Sequence, residues 1–316
     1  MSKKLCFAAI LAAFAAVGCN EKNVELPDDT DSLSGETVQL TVRIPQVSTK
    51  VTGLPSDDTV EDLQVFVFNK NGAYETSSSG SGASLSLTCT AGEKQIVALV
   101  NAPVEDGVNS ISELRLRTSD LADCSENSIV MAGELTTILE VSSTVTLEVE
   151  RLAARVAVSE VKTDFVLDQH KALKFDIKAI YLVNAAGQRA YLSDTPPAKW
   201  YNEGKHDALT APAFLYDEVS SGVVENGSTY DTEHYFYCYP NSTSTKTRLV
   251  VEAMVGDYLY YYPVNIDKVY PNTAYTYSLT ITRLGSDSPN KPVEAGTVQF
   301  EVTVKDWVHQ DVEEII

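Results

Sequence analysis

The chain has 316 residues, with 44 Asp and Glu against 24 Lys and Arg, so its formal net charge is −20 and its isoelectric point lies near 4.5. That balance excludes nucleic acid and anionic lipid as partners, because a phosphate-bearing surface repels it. The length suits two domains of ordinary size, each able to bury its own core.

The first nineteen residues, MSKKLCFAAILAAFAAVGC, read as an export signal. Lys3 and Lys4 supply the positive start, and residues 5–17 form an apolar run too short to span a bilayer. Small residues then precede Cys19, the expected site of lipidation, so 1–19 is read as a lipoprotein signal peptide rather than a plain secretory leader or a short buried helix. Apart from Cys6 and Cys19, the thiols are Cys89, Cys124 and Cys238, an odd set without CxxC or close Cys/His spacing. This encodes neither a disulfide framework nor a zinc site, and three buried free thiols are expected.

From there the pattern is short alternating segments punctuated by Gly, Pro, Asn, Asp and Ser, the signature of an all-β chain. Residues 38–44 place Val38, Leu40, Val42 and Ile44 on one face and Gln39, Thr41 and Arg43 on the other, a half-buried strand. A long loop, 45–59, follows. Residues 62–68 are apolar on both faces from Val65 onward and read as a central strand, with Asn71-Gly72 as a tight turn and 77–82 as a Ser/Gly tip. Segments 85–90 and 94–101 continue the sheet, and Ser110-Ile-Ser-Glu113 opens one short helix over Leu114 and Leu116.

Alternation resumes at 143–150 and carries into 151–158, after which 162–171 is the expected linker. The second half predicts strands at 175–183, 235–239, 247–255, 258–264 and 275–281, with a turn at 184–187 and a long polar excursion to about 230. The last strand, 298–304, puts Val298, Phe300, Val302 and Val304 on one face and so mirrors the first. Lys50 lies in the exposed loop behind the first strand. Cleavage there would release that strand, leaving an apolar groove that a strand of another chain can fill by β-augmentation. The competing reading is that both are the terminal strands of closed sandwiches.

Several blocks, in their order, resemble the Bacteroidia fimbrillin family, the FimA-type subunits of type V pili. They are the Cys19 lipobox, TVEDLQVFVFN at 59–69, IVALVNA at 96–102, MAG at 131–133, RLAARV at 151–156 and VTVKDW at 302–307. The resemblance implies two tandem transthyretin-like β-sandwich domains and export as a surface lipoprotein anchored to the outer membrane. It further implies that a trypsin-like protease removes the lipidated segment with the first strand, and that the C-terminal strand of a neighbouring subunit refills the groove. Carried onto this chain, processing falls at Lys50-Val51, where lysine stands in place of the family's usual arginine. The displaced strand is Val38, Leu40, Val42 and Ile44, and the donor strand is Val298, Phe300, Val302 and Val304. The resulting division is 1–19 signal, 20–50 propeptide, 51–163 first domain and 164–316 second domain with the donor strand. Other fimbrial subunits, a processing protease and, through the lipid, the outer membrane are the implied partners.

Catalysis finds no support. His170, His206, His234 and His309 are scattered without metal-ligand spacing, and no GxSxG, P-loop or GxGxxG context occurs. The chain is therefore read as a non-enzyme without cofactor or metal. A surface glycan-binding lipoprotein is one alternative function, with Trp200, Tyr201, Tyr216 and the tyrosines of 258–262 as stacking platforms. A fimbrial anchor or tip subunit is the other, the resemblance implying that an anchor keeps its first strand and lipid because Lys50 is never cut. Asp31-Ser-Leu33 and Asp58-Thr-Val60 fit a short O-glycosylation pattern.

Overall fold

The computed structural model describes residues 35–45, 59–125, 127–294 and 296–306. Strands dominate them, and two sandwiches account for most of the strands.

The first sandwich is built from β1 (Thr37–Arg43), β2 (Asp62–Asn69), β3 (Tyr74–Ser81), β4 (Ser84–Thr90), β5 (Gly92–Val100), β6 (Thr118–Asp120), β7 (Met131–Leu139), β8 (Ser143–Thr146) and β9 (Glu150–Arg151). A three-stranded sheet β4-β1-β8 faces a five-stranded sheet β3-β2-β5-β7-β9. Between them lies a core in which Val38, Leu40, Val42, Leu87 and Cys89 meet Leu63, Val65, Val67, Ile96 and Ala98. The opposite face of β2 and β5 is also buried. Phe66, Phe68, Val97 and Leu99 join a larger cluster that runs on into the second sandwich, which is why 62–68 is apolar on both faces.

β3 occupies the segment expected as a Ser/Gly tip. Its serines alternate in exposure while its backbone pairs along β2 from Asp62↔Ser81 to Phe68↔Tyr74. The turn at Asn71-Gly72 forms as expected, with Gly72 at φ +79. α1 (Ile111–Leu116) starts where expected, Ser110 accepting from the Glu113 amide, but Glu113 turns its carboxylate to the Asn109 amide instead of back to Ser110. Leu114 is buried there and Leu116 is exposed.

The second half contributes β10 (Ala154–Thr163), α2 (Asp168–Lys171), β11 (Phe175–Val183), β12 (Ala185–Ala186), β13 (Gln188–Ala190), β14 (Trp200–Tyr201), β15 (Tyr216–Val224), β16 (Thr229–Tyr230), β17 (His234–Cys238), β18 (Thr247–Val255), β19 (Tyr258–Ile266), β20 (Thr273–Ile281) and β21 (Val298–Asp306). One sheet runs β16-β10-β20-β21, with β17 also on β10, and faces β15-β11-β18-β19. β10, expected within the first domain, hydrogen-bonds to β16, β17 and β20, so the sheets change hands between Arg151 and Ala154. Parallel pairing of β10 with β20 is long-range and leaves no mark on the local pattern. The expected linker holds α2 and the fully buried Phe165.

The two sandwiches share a junction. β6 pairs with β13, and Tyr201 donates to Asp120 at 2.5 Å while Lys199 caps the same carboxylate. Tyr191 donates to Glu105 at 2.8 Å, and the Tyr239 hydroxyl lies 2.6 Å from that of Ser119. Cys89, Cys124 and Cys238 are buried free thiols.

Candidate assembly strands

Two strands carry the same alternation and have opposite surroundings. β1 is central. It pairs antiparallel with β4 from Thr37↔Thr90 to Arg43↔Ser84, and parallel with β8 from Leu40↔Ser143 to Arg43↔Thr146. Its outward face is zipped by polar pairs, Gln39 to Thr88 at 2.7 Å and Thr41 to Ser86 at 2.8 Å. Its inward face is fully in the core, with Leu40 and Val42 at 0 % exposure, Ile44 at 4 % and Val38 at 5 %. Taking β1 out would leave the facing edges of β4 and β8 unpaired and open a groove floored by Leu63, Val65 and Ile96.

β21 stands at a sheet edge and pairs only with β20 among the described strands, antiparallel from Ile281↔Val298 to Thr273↔Asp306. Register places Phe300, Val302 and Val304 on the face that bears Leu279, Tyr277 and Tyr275 of β20. Those β20 residues are buried, yet Phe300 is 48 % exposed, Val302 41 % and Val304 54 %. The facing sheet ends at β19, whose Pro263, Val264 and Asn265 line an open groove with Val298 and Phe300. Val298 alone packs against the core, and Phe300 touches Tyr277 at 5.9 Å between ring centroids.

The segment joining β20 to β21 is pinned independently of β21. Ser286 and Tyr261 exchange backbone hydrogen bonds of 2.8 and 3.0 Å, Asn290 accepts from Arg248 at 2.6 Å, and the Thr282 amide donates to Thr297 at 2.9 Å. Gly296 then takes φ +81, a conformation that favours glycine, just before β21 begins.

At the end of the first sandwich a buried ion pair sits beside β4. Lys94 and Glu75 approach to 2.7 Å with side-chain exposures of 4 % and 16 %. Burial opposes ionisation of Glu75, but hydrogen bonds from Lys94 and Thr90 overcome it and hold the carboxyl below its ordinary value. Burial raises the neighbouring Cys89 thiol, with the Glu75 charge acting in the same sense.

Of the residues singled out in the sequence, Val38, Leu40, Val42 and Ile44 come together on β1 and its exit, and Val298, Phe300, Val302 and Val304 on β21. Cys19, Lys50 and Val51 lie outside the described residues, as does His309. The aromatic residues proposed for glycan stacking are dispersed: Tyr201 is buried at the junction, Tyr262 is in the core, Tyr216 lies under the His206 ring at 3.9 Å, and Tyr258 is exposed. His234 is buried between Asp217 at 2.7 Å and the Tyr230 hydroxyl at 2.9 Å, an arrangement that lacks a nucleophile. Among the described residues no cluster of His, Cys, Asp and Glu is placed to hold a metal ion. Sequence reasoning missed the pinned segment 282–297; its Asn, Ser and Gly content reads only as loop.

Residues 37–160 match the family model described as major fimbrial subunit protein (FimA). The fold is shared with a candidate cell adhesion protein from Bacteroides eggerthii, at 20 % identity and TM-score 0.68, covering 86 % of this chain and 97 % of that one. It is shared equally with a fimbrilin from Porphyromonas gingivalis, at 16 % identity and TM-score 0.64, covering 86 % and 98 %. The tip fimbrial protein Mfa3 of the same species aligns at 12 % identity and TM-score 0.54, covering 86 % and 100 %. Comparison with curated proteins finds no match.

Proposed function

We propose, for a chain whose residues 37–160 match the major fimbrial subunit (FimA) family model, that it is a building subunit of a surface fimbria and assembles by strand exchange. The precursor is exported, lipidated on Cys19 and anchored to the outer membrane. Cleavage between Lys50 and Val51 frees β1, and β21 of a neighbouring subunit takes its place. Copies of the same chain are the partners, and adhesion is the role of the assembled fibre.

The observation that carries this reading is the contrast between β1 and β21. Two strands of matching alternation, one with its apolar face at 0–5 % exposure and the other with three apolar side chains at 41–54 %, are suited to exchange. Replacing β1 by an equivalent strand preserves the ladder hydrogen bonds to β4 and β8. Four apolar side chains entering the groove, at about 1.5–3 kcal/mol each for full burial, supply on the order of 6–12 kcal/mol before ordering costs. A fibre held in this way dissociates slowly.

The test is native trypsin treatment of the chain expressed without its signal, followed by N-terminal sequencing and sizing. A new N-terminus at Val51 together with ladder-forming polymers is the expected result. A product that is cut at Val51 and stays monomeric overturns the exchange mechanism.

A further inference from the structure

The direction in which a donor strand runs decides which surfaces meet. β1 pairs antiparallel with β4 and parallel with β8, and a strand that keeps both ladders runs the way β1 runs. It therefore enters the groove at the Thr37 end, with Val298 near the seat of Val38. That end of the first sandwich carries two turns. The Ala91 amide, between β4 and β5, donates to Glu36 at 2.8 Å, and the Gln39 amide donates to Ser142, between β7 and β8, at 3.0 Å. Leu139 and Gly92 are register partners there. The β7–β8 turn leaves two large apolar side chains to water, Ile138 at 68 % and Val141 at 66 % exposure, flanking an exposed Glu140. Apolar side chains grouped in this way on a surface mark an interaction site.

The other surface is the end of the second sandwich from which β21 starts. Thr163 of β10 and Val298 of β21 are both register partners of Ile281, so β10 and β20 finish where β21 begins. A cavity of about 620 Å³ opens at this end, lined in part by Val166, Leu167, Leu284 and Val293 and by the cations Arg283 and Lys291. Val166 and Leu167 are themselves 61 % and 48 % exposed. Arg283 meets Glu294 at 3.9 Å and Lys291 meets Asp287 at 3.1 Å, all four side chains being exposed. Surface pairs of this kind exchange for other carboxylates at little cost. No lining residue belongs to β21, and the backbone bonds between Ser286 and Tyr261 hold one wall, so the cavity does not depend on where β21 lies.

We propose that this cavity receives the β7–β8 turn of a second copy of the chain, Ile138 and Val141 packing against Leu167, Leu284 and Val293 while Glu140 faces Arg283 and Lys291. The inference rests on the strand-exchange reading and deepens it by naming a second contact between the same two subunits. Reach allows it. Four residues, at most about 14 Å extended, lead from Glu294 in the cavity wall to Val298. Val141 in turn adjoins Ser142, which binds the strand one residue beyond Val38. Once Val298 takes the seat of Val38, the two apolar surfaces close on each other end to end, and water leaves both.

The experiment is dissociation of fibres grown from cleaved chains. The variants V166S/L167S and I138S/V141S change only exposed side chains, so each should keep the Tm of the uncleaved chain and still polymerise. Their fibres should lose subunits on dilution about tenfold faster than the parent's. All four substitutions together should be no worse than either pair, because both pairs belong to one contact. Oxidised fibres of V141C/L167C should run as a covalent ladder on a non-reducing gel, which neither single cysteine variant gives. Dissociation at the parent rate in both pairs, effects that simply add, or no ladder from the double cysteine variant overturns the docking and leaves strand exchange standing. A cleaved parent chain that stays monomeric refutes strand exchange, and the docking with it.

Discussion

Val38 and Cys89 are register partners across the β1–β4 ladder, both facing the core and 5 % and 4 % exposed. Cys89 therefore reports on β1. Burial raises its thiol in the intact chain, and Cys124 and Cys238 are pushed up to about 11 and about 12 in cores that β1 does not cover. Native maleimide labelling should be slow at all three thiols before cleavage. After cleavage Cys89 alone should react rapidly, and a donor strand should protect it again. Equal labelling of Cys89 before and after removal of residues up to 50 contradicts β1 as the displaced strand.

The two alternating strands should answer truncation differently. Leu40→Ala removes a fully buried side chain from the first core and should cost about 2–5 kcal/mol of unfolding free energy. Phe300→Ala, at a half-exposed position, should change monomer stability by less than about 1 kcal/mol. Urea melts of the uncleaved chain separate the two. A large loss at Phe300 would mean that β21 is part of the monomer's core.

The alternation of β1 and β21 was legible in the sequence, and their difference was not. Val38-Leu40-Val42 and Phe300-Val302-Val304 obey the same period; what separates them is whether a second sheet lies opposite, a tertiary fact. β3 and β15 escaped for another reason. Serines fill most outward positions of β3, and Asp217, Glu218, Ser220 and Ser221 most of those of β15, so their pairing rests on backbone hydrogen bonds with β2 and β11 and leaves little hydrophobic period. β10 was visible as a strand, but its place beside β20 depends on contacts such as Ser278 to Glu160, 118 residues apart. The polar pocket lined by Ala132 of β7, Glu150 and Arg151 of β9, Arg189 of β13 and residues 191–194 is announced by no local motif.

The Lys94–Glu75 pair should be destabilising to break and inexpensive to replace. Glu75→Ala strands a Lys94 that is 4 % exposed, for an expected loss of about 3–5 kcal/mol. The apolar double variant Lys94→Met, Glu75→Leu should recover most of it, because neither charge then remains buried. Thermal melts of the three chains at one pH check this. A double variant as unstable as the single one would assign the loss to packing around Thr90 instead of to the unpaired charge.

The junction has an acid limb of stability. Burial opposes ionisation of Asp120, yet hydrogen bonds from Lys199, Tyr201 and the Ala122 amide outweigh it and hold the carboxyl below its ordinary value. A depressed folded pKa contributes stability that is fully present above the unfolded value, about 3.9, and is lost as pH falls through the folded one. Asp120→Asn should therefore lower Tm at pH 7, and its difference from the parent should shrink steadily below pH 4. A constant difference from pH 7 to pH 2 would show that the Asp120 charge does not stabilise the junction.

Assembly should fail through charge alone at the exposed face of β21. Val302→Asp places a carboxylate where the folded monomer leaves the position 41 % exposed, so the uncleaved chain should keep its fold and its Tm within a few degrees. In the groove vacated by β1 the same carboxylate would occupy a site as buried as Leu40 or Val42, both at 0 % exposure, with no cation on the floor formed by Leu63, Val65 and Ile96. Burying an unpaired charge there costs several kcal/mol, comparable to what the apolar side chains of the donor supply. Cleaved Val302→Asp should stay monomeric in sizing while its own groove still accepts a parent β21, capping mixed fibres and shortening them as its share rises. Unaltered fibre length in such mixtures would show that β21 does not enter the groove through this face.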